Sequence, residues 1–397
     1  MRYHHEKPIY LPPVPGRRHA GAAAPWAGPT RPARAAFPAQ RRERPAAASR
    51  GLLPGTPEWH ALRTAAGRPA PANHRAAQRA SGPLAAPAGA VQPLTASDES
   101  LTEQWVARYS SASNYFESAT ALAVDAAGNV YVTGYIYYPH VNSADYVTIK
   151  YSPTGQELWR TSYSESGAFG SEAYALALAV DATGNVYVTG TADTGDRANA
   201  HYATIKYSPT GQQLWVASYN GPGSGSDYAA ALAVDPAGNV YVTGASAGSS
   251  NNTDYATLKY SPSGQELWVA RYNGPANGYD YATALALDAA GNVHVTGASV
   301  GSNGTSDYAT VKYAPTGEQL WSARYEDSEF GSAFDVATAL AVDAGGNVYV
   351  AGYSSGGYAL VKYKPTGEGI WSGNYTGPTN QGAGPTPWPW TRRATCT

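Results

Sequence analysis

Five copies of Asp-x-x-Gly-Asn recur in this sequence, with the Asp at 125, 181, 235, 288 and 343. A carboxylate beside an Asn amide is the beginning of a calcium site. Calcium takes about 6–8 oxygen ligands, and one carboxylate per turn falls well short. The same residue types build an Asx turn, in which the side-chain oxygen accepts backbone N–H bonds and Gly supplies a positive φ. Asp125, Asp181, Asp235, Asp288 and Asp343 are therefore expected to be structural turn residues. Lys150, Lys206, Lys259, Lys312 and Lys362 each precede a Tyr. A residue repeated in every copy is expected to pack or pair, because catalysis needs one asymmetric constellation. The histidines of the repeating region, His140, His201 and His294, fall at unrelated positions of the repeat, so no metal cluster or triad is readable. Glu326, Asp327 and Glu329 read as a solvated loop. The lone Cys396 excludes an internal disulfide, a Cys-based zinc site and an iron–sulfur cluster. No catalytic residue, metal site or cofactor is assigned.

The chain that carries these residues has two compositions. Its 397 residues sum to a net charge of −2. Residues 1–95 hold 24 Ala, 16 Pro and 13 Arg and carry a balance of +11, so the remainder carries −13. The first segment has no sustained period of 3.6 or 2, and residues 1–100 are expected to form a disordered tail. Its Arg residues come singly or in short clusters without interleaved aromatics. This reads as a solvated basic tail, with no nucleic-acid partner. No apolar signal core of about 7–15 residues is readable, and no run approaches the roughly 20 residues of a transmembrane helix. A second reading of the tail is GC-rich DNA translated in a shifted frame, with a signal core encoded in the neighbouring frame. Residues 377–397 read as a Pro-rich disordered tail.

Residues 101–376 repeat themselves. Leu122-Ala-Val-Asp-Ala-Ala-Gly-Asn-Val-Tyr-Val-Thr-Gly134 recurs with Asp spacings of 56, 54, 53 and 55. Lys150-Tyr-Ser-Pro-Thr-Gly-Gln-Glu-Leu-Trp159 recurs with Trp at 215, 268, 321 and 371. Each unit reads as four short strands: A (121–125), B (129–134), C (146–151) and D (157–163). Four antiparallel strands per unit of this length predict an all-β chain, a β-propeller with five complete blades visible. Strand A, rich in Ala, suits the crowded centre. Trp159, Trp215, Trp268, Trp321 and Trp371 are expected to fill the wide gap between blades.

The paired motifs resemble the bacterial β-propeller repeat often described as seven-bladed, found mostly in secreted or surface proteins. The resemblance covers about residues 101–376 and implies the fold and an extracellular or cell-envelope location, not an activity. The Thr-Gly-x-x-x-Trp run also resembles the tryptophan-docking motif of quinoprotein dehydrogenases. Those enzymes usually carry adjacent cysteines, which Cys396 alone cannot supply.

In an up-and-down blade the A–B and C–D turns share one face and the B–C and D–A loops the other. The turns hardly vary among units. The B–C spans run 15 or 16 positions in four units and 10 in the last. Variable loops on a rigid scaffold are where function concentrates. The candidate binding face comprises Tyr135, Tyr137, Tyr138, His140, Asn251, Asn252 and Asn303, all expected in B–C loops. Phe116, Phe169, Phe330 and Phe334, in D–A loops, are expected to pack between blades. The function predicted is a non-enzymatic module binding an unknown protein, peptide or glycan. The rivals are an enzyme (lyase or hydrolase) or lectin-like propeller using the central channel, and a purely structural surface repeat.

Gln104-Trp-Val-Ala-Arg-Tyr109 is a strand D with no A, B or C before it. Prolines at 385, 387 and 389 disqualify the C-terminal residues as the missing strands. An open or incompletely closed ring is therefore expected.

Overall fold

The computed structural model describes residues 103–111, 115–165, 170–195, 200–249, 252–326, 334–354 and 357–375. All belong to the unit spanning residues 51–397. The expected tails, with Phe169, Asn251, Asp327, Glu329 and Phe330, lie outside the described residues.

The described residues form twenty strands in five four-stranded antiparallel sheets. Blade 1 is β1 (Phe116–Val124), β2 (Val130–Tyr138), β3 (Ser143–Tyr151) and β4 (Glu157–Tyr163). Blade 2 is β5 (Ala173–Val180), β6 (Val186–Ala192), β7 (His201–Tyr207) and β8 (Gln213–Tyr219). Blade 3 is β9 (Tyr228–Val234), β10 (Val240–Ala247), β11 (Thr253–Tyr260) and β12 (Glu266–Tyr272). Blade 4 is β13 (Asp280–Leu287), β14 (Val293–Val300), β15 (Ser306–Tyr313) and β16 (Gln319–Tyr325). Blade 5 is β17 (Val336–Val342), β18 (Val348–Ser354), β19 (Gly357–Tyr363) and β20 (Gly369–Tyr375). The chain is an all-β propeller of up-and-down blades.

Strands A to C run several residues further toward the variable loops than the repeated motif reached. Pairing there is carried by backbone bonds, which need no repeated side chain. In blade 1 the β1–β2 ladder continues from Val124↔Val130 through to Phe116↔Tyr137, shifting register between Ala119 and Ala121. At that bulge β1 presses so close to β2 that a Cβ on Gly134 would lie 1.8 Å from the Ser118 carbonyl oxygen. Gly190, Gly244, Gly297 and Gly352 meet the same approach.

The period of two gives each blade two chemically different faces. One carries aliphatic residues, as in Val186, Val188 and Ile205 of blade 2. The other carries Tyr, Thr, Lys and Trp, as in Tyr131, Tyr146 and Trp159 of blade 1. The Tyr–Trp face of each blade packs on the aliphatic face of the next, which makes the core a series of inter-blade layers. Within the layers, Thr133–Thr148, Thr189–Thr204, Thr243–Thr257 and Thr296–Thr310 pair their hydroxyls at 2.8–3.0 Å. Such cross-strand pairs keep buried hydroxyls satisfied.

Inner strands pack in chain order, β1 on β5, β5 on β9, β9 on β13 and β13 on β17. Packing of that extent does not recur between β17 and β1. Among the described residues the ring is open between blade 5 and blade 1.

Candidate functional site

Incoming strands A are pinned to the preceding blade at the loop face. Parallel bridges join Ala144 to Glu172, Thr253 to Tyr279 and Ser306 to Phe334. Asp227 donates its N–H to the Ala200 carbonyl at 2.6 Å, and Asp335 does so to Ser306 at 2.7 Å. The residue nine before the turn Asp is thereby held at the mouth of the inner strand in blades 2 to 5, and in blade 1 it is held by pairing with Tyr137 of its own blade. That position is Phe116, Glu172, Ser226, Tyr279 and Phe334 in the five units. Phe116, Tyr279 and Phe334 are 67, 62 and 58% exposed. The expectation that Phe116 and Phe334 pack between blades is corrected. At the mouth of strand A no neighbouring blade reaches over them.

The expected binding residues are placed differently from one another. Tyr135, Tyr137 and Tyr138 belong to β2 rather than to a B–C loop. Tyr135 meets Tyr174 of blade 2 edge-on, ring centroids 4.8 Å apart, so it is an inter-blade contact. Tyr138 packs edge-on against Tyr115 at 4.9 Å, and burial pushes its hydroxyl pKa up. Tyr137 donates to Asn142 Oδ1 at 2.8 Å and lies beside Phe116. His140 is exposed, with Tyr115 6.3 Å from its ring. Asn252 is buried and donates to Asp254 Oδ1 at 2.7 Å, which ties its loop down. Asn303 closes a turn by accepting the Thr305 N–H at 3.0 Å and donates to Glu326 Oε1 at 2.6 Å. Among the described ones, no hydrogen bond or ring contact links the blade 1 group to Asn252 or Asn303.

On the opposite face, each turn Asp is filled by its own repeat. Asp125 Oδ1 accepts the N–H groups of Ala127 and Asn129 at 3.0 and 2.8 Å. Its Oδ2 accepts Asn129 Nδ2 at 2.8 Å and the Tyr131 hydroxyl at 3.0 Å. Asp181, Asp235 and Asp343 repeat the Asn and Tyr bonds. Asp288 differs because His294 stands in place of the Tyr. Its Oδ2 meets His294 Nε2 at 3.1 Å and Lys312 Nζ at 3.2 Å. Burial pushes the Asp288 carboxyl up, but bonds from Asn292, His294 and Lys312 outweigh it and hold the pKa below the carboxylate range. Burial keeps His294 below its ordinary value. Lys150, Lys206, Lys259 and Lys362 lie over tyrosine rings, as Lys150 does over Tyr131 at 4.9 Å, whereas Lys312 pairs with Asp288.

Sequence reasoning missed a buried network beneath the loops. Arg271 donates to Ser246 Oγ and O at 2.6 and 2.9 Å, to Asp254 Oδ2 at 3.0 Å and to the Tyr219 hydroxyl of the preceding blade at 2.9 Å. Arg324 makes the same set with Ser299, Asp307 and Tyr272 one blade on. Asp227 accepts Gly221 N and Ala247 N at 2.7 and 2.8 Å, so it clips the D–A loop to the end of strand B. Asp280 does the same for Gly274 and Val300. Burial raises both carboxyls against these hydrogen bonds. The signal was available as an Asp eight residues before the turn Asp and an Arg three after the Trp. It appears in only some units and was hidden by the repeat.

The Trp residues also act across blades. Trp159, Trp215, Trp268 and Trp321 donate Nε1–H to the carbonyls of Pro209, Pro262, Pro315 and Pro365 at 2.9–3.0 Å. Trp371, in the last of the described blades, is 44% exposed. Among the described residues no helix is long and apolar enough to cross a membrane, and no group of three or more His, Cys, Asp or Glu could hold a metal ion.

No protein-family pattern matches the chain, and no curated protein matches it. Among solved structures, it is similar to a Penicillium chrysogenum α-L-arabinanase complexed with arabinobiose (TM-score 0.41, 13% identity, 63% of this chain and 78% of that one). It is similar to a Hadza microbial sialidase (TM-score 0.40, 10% identity, 64% of this chain and 57% of that one). It is also similar to a eukaryotic initiation factor (TM-score 0.37, 10% identity, 66% of this chain), of which it spans 55%. The fold assignment rests on the five four-stranded sheets themselves.

Proposed function

We propose that the chain is a non-enzymatic propeller module that binds a peptide or glycan on its loop face, outside the cell or at the cell envelope. The observation that carries this reading is the exposure of Phe116, Tyr279 and Phe334 at one repeat position on that face. Large apolar rings held open on a rigid scaffold lose little entropy on binding and offer stacking surface. Each is set on a strand end fixed by backbone bonds, so the rings are preorganised. Glu172, at the same position in blade 2, adds a carboxylate. The external location is supported by the resemblance of the repeats to a propeller family of secreted and surface proteins.

The test is binding of the full-length chain to peptide and glycan arrays, repeated with Phe116→Ala, Tyr279→Ala and Phe334→Ala combined. The expected result is a specific signal lost in the triple variant, with an unchanged thermal midpoint. A signal indifferent to the three rings, or turnover of an arrayed glycan, overturns the reading.

A further inference from the structure

On the aliphatic face of blade 1, the outermost position is filled and the three positions inside it are open. Trp105 stands to blade 1 as Trp159 stands to blade 2. Its Nε1–H donates to the Pro153 carbonyl at 3.0 Å, and its ring covers Gly155. Ala107 and Tyr109 continue the strip over Ile149 and Tyr151. Inward of the strip lies a groove of about 260 Å³ whose walls include Tyr109, Ala119, Val132, Val147 and Ile149. Beyond it, Leu122 and Val124 of β1 are 61 and 58% exposed. Their counterparts Leu178 and Val180 in blade 2 pack against the preceding blade.

We propose that this groove is a docking site for a three-stranded antiparallel segment of the same repeat type, one that brings strands A, B and C but no strand D. The occupant is fixed by what is already taken. A complete blade would drive its own Trp onto the Pro153 carbonyl and Gly155. Trp105 holds both, and even a Cβ on Gly155 would lie 2.7 Å from its ring. A second copy presenting blade 5 with Trp371 meets that clash, as does closure of the five blades on themselves. A segment without strand D avoids it.

Blade 1 also displays the acceptors that inner strands use elsewhere. Strand-A Thr120 donates to the Ala175 carbonyl at 2.8 Å and Thr283 to Ala337 at 2.7 Å. The counterpart acceptor on blade 1 is the Ala119 carbonyl. Strand-C Tyr146 donates to Ala203 at 3.3 Å and Tyr255 to Ala309 at 3.2 Å. The counterpart is the Val147 carbonyl. Strand-C Lys206 and Lys259 reach Pro262 and Pro315 at 3.2 and 3.3 Å. The counterpart is the Pro153 carbonyl, which accepts such a Lys alongside the Trp, as Pro262 does from Lys206 and Trp215. An incoming segment with Thr, Tyr and Lys at these positions finds each acceptor in place.

The test uses the full-length chain with Cys396→Ser and Leu122→Cys, labelled with a maleimide. Unfused, it labels fast at every protein concentration. Fused at its C-terminus through a Gly/Ser linker to a second copy of residues 280–313, which carries Thr283, Tyr308 and Lys312, it labels at least about tenfold more slowly, because the thiol is reached only by local opening. A fusion to residues 280–325, which adds strand D and Trp321, gives no such protection. Residues 116–151, with Thr120, Tyr146 and Lys150, serve as a second three-stranded segment, so one poorly folding insert does not decide the outcome. The proposal is overturned if neither three-stranded segment protects, or if the four-stranded one protects equally. Protection of the unfused chain that rises with its concentration assigns the groove to a second copy and also overturns it.

Discussion

Trp105 and Pro153, 48 residues apart, are joined by an indole N–H to carbonyl bond of 3.0 Å. The same bond links every consecutive pair of blades, from Trp159 and Pro209 to Trp321 and Pro365. The strip around Trp105, expected as a strand D, forms no strand, yet it packs on blade 1 as the Trp-bearing strands pack on the next blade. It also explains why five similar blades do not seal. The acceptor that Trp371 would need is already occupied.

The inter-blade Trp residues should differ in cost by position. Trp215→Ala removes a ring packed between Tyr187 and Tyr260 and is expected to cost about 3–5 kcal/mol in urea unfolding. Trp371→Ala, on the open face of blade 5, should cost about 1 kcal/mol or less. Equal losses would mean that Trp371 is covered in solution.

The loop network should behave as a unit. Arg271→Ala leaves the buried Asp254 without its cation and should cost about 2–3 kcal/mol. A double-mutant cycle with Asp254→Asn should give a coupling of at least about 1 kcal/mol. Additive losses would show that the pair is held apart in solution.

Stability should fall in acid. Asp125, Asp181, Asp288 and Asp343 have pKa values below the ordinary carboxylate value. A lowered native pKa contributes stability that is present above the unfolded value and lost as pH falls through the native one. Thermal midpoints should therefore drop below about pH 4, the ordinary value. Asp288 is held furthest down, so Asp288→Asn should flatten this dependence most. A profile unchanged in that variant would contradict the turn geometry.

Neighbouring tyrosines in β2 should separate. Tyr138→Ala breaks the edge-on packing with Tyr115 and is expected to cost about 1–3 kcal/mol. Tyr137→Phe loses only the bond to Asn142, about 0.5–1.5 kcal/mol. Chemical denaturation of the two variants distinguishes a strand from a loop at these positions.

Local physics made much of this protein legible before any coordinates. The paired motifs marked five four-stranded units, because turn chemistry at Asp125 to Gly128 and Ser152 to Gly155 acts within a few residues of chain. Alternation along a strand is equally local, so the Trp-bearing strand could be recognised wherever it recurred, including at Trp105. What repeats, however, says nothing about which blade lies next to which. Only the tertiary structure decided that Tyr135 meets Tyr174, that Phe116 and Phe334 stay uncovered, and that Arg271 reaches Tyr219 across a blade boundary. The open ring was expected from the lone strand-D motif at Trp105, but only the tertiary structure showed Trp105 seated on the Pro153 carbonyl. Each blade carries one face that needs a successor and one that needs a predecessor. Whether the last meets the first depends on which acceptor carbonyls are already taken, a relation between residues distant in sequence that no local pattern encodes.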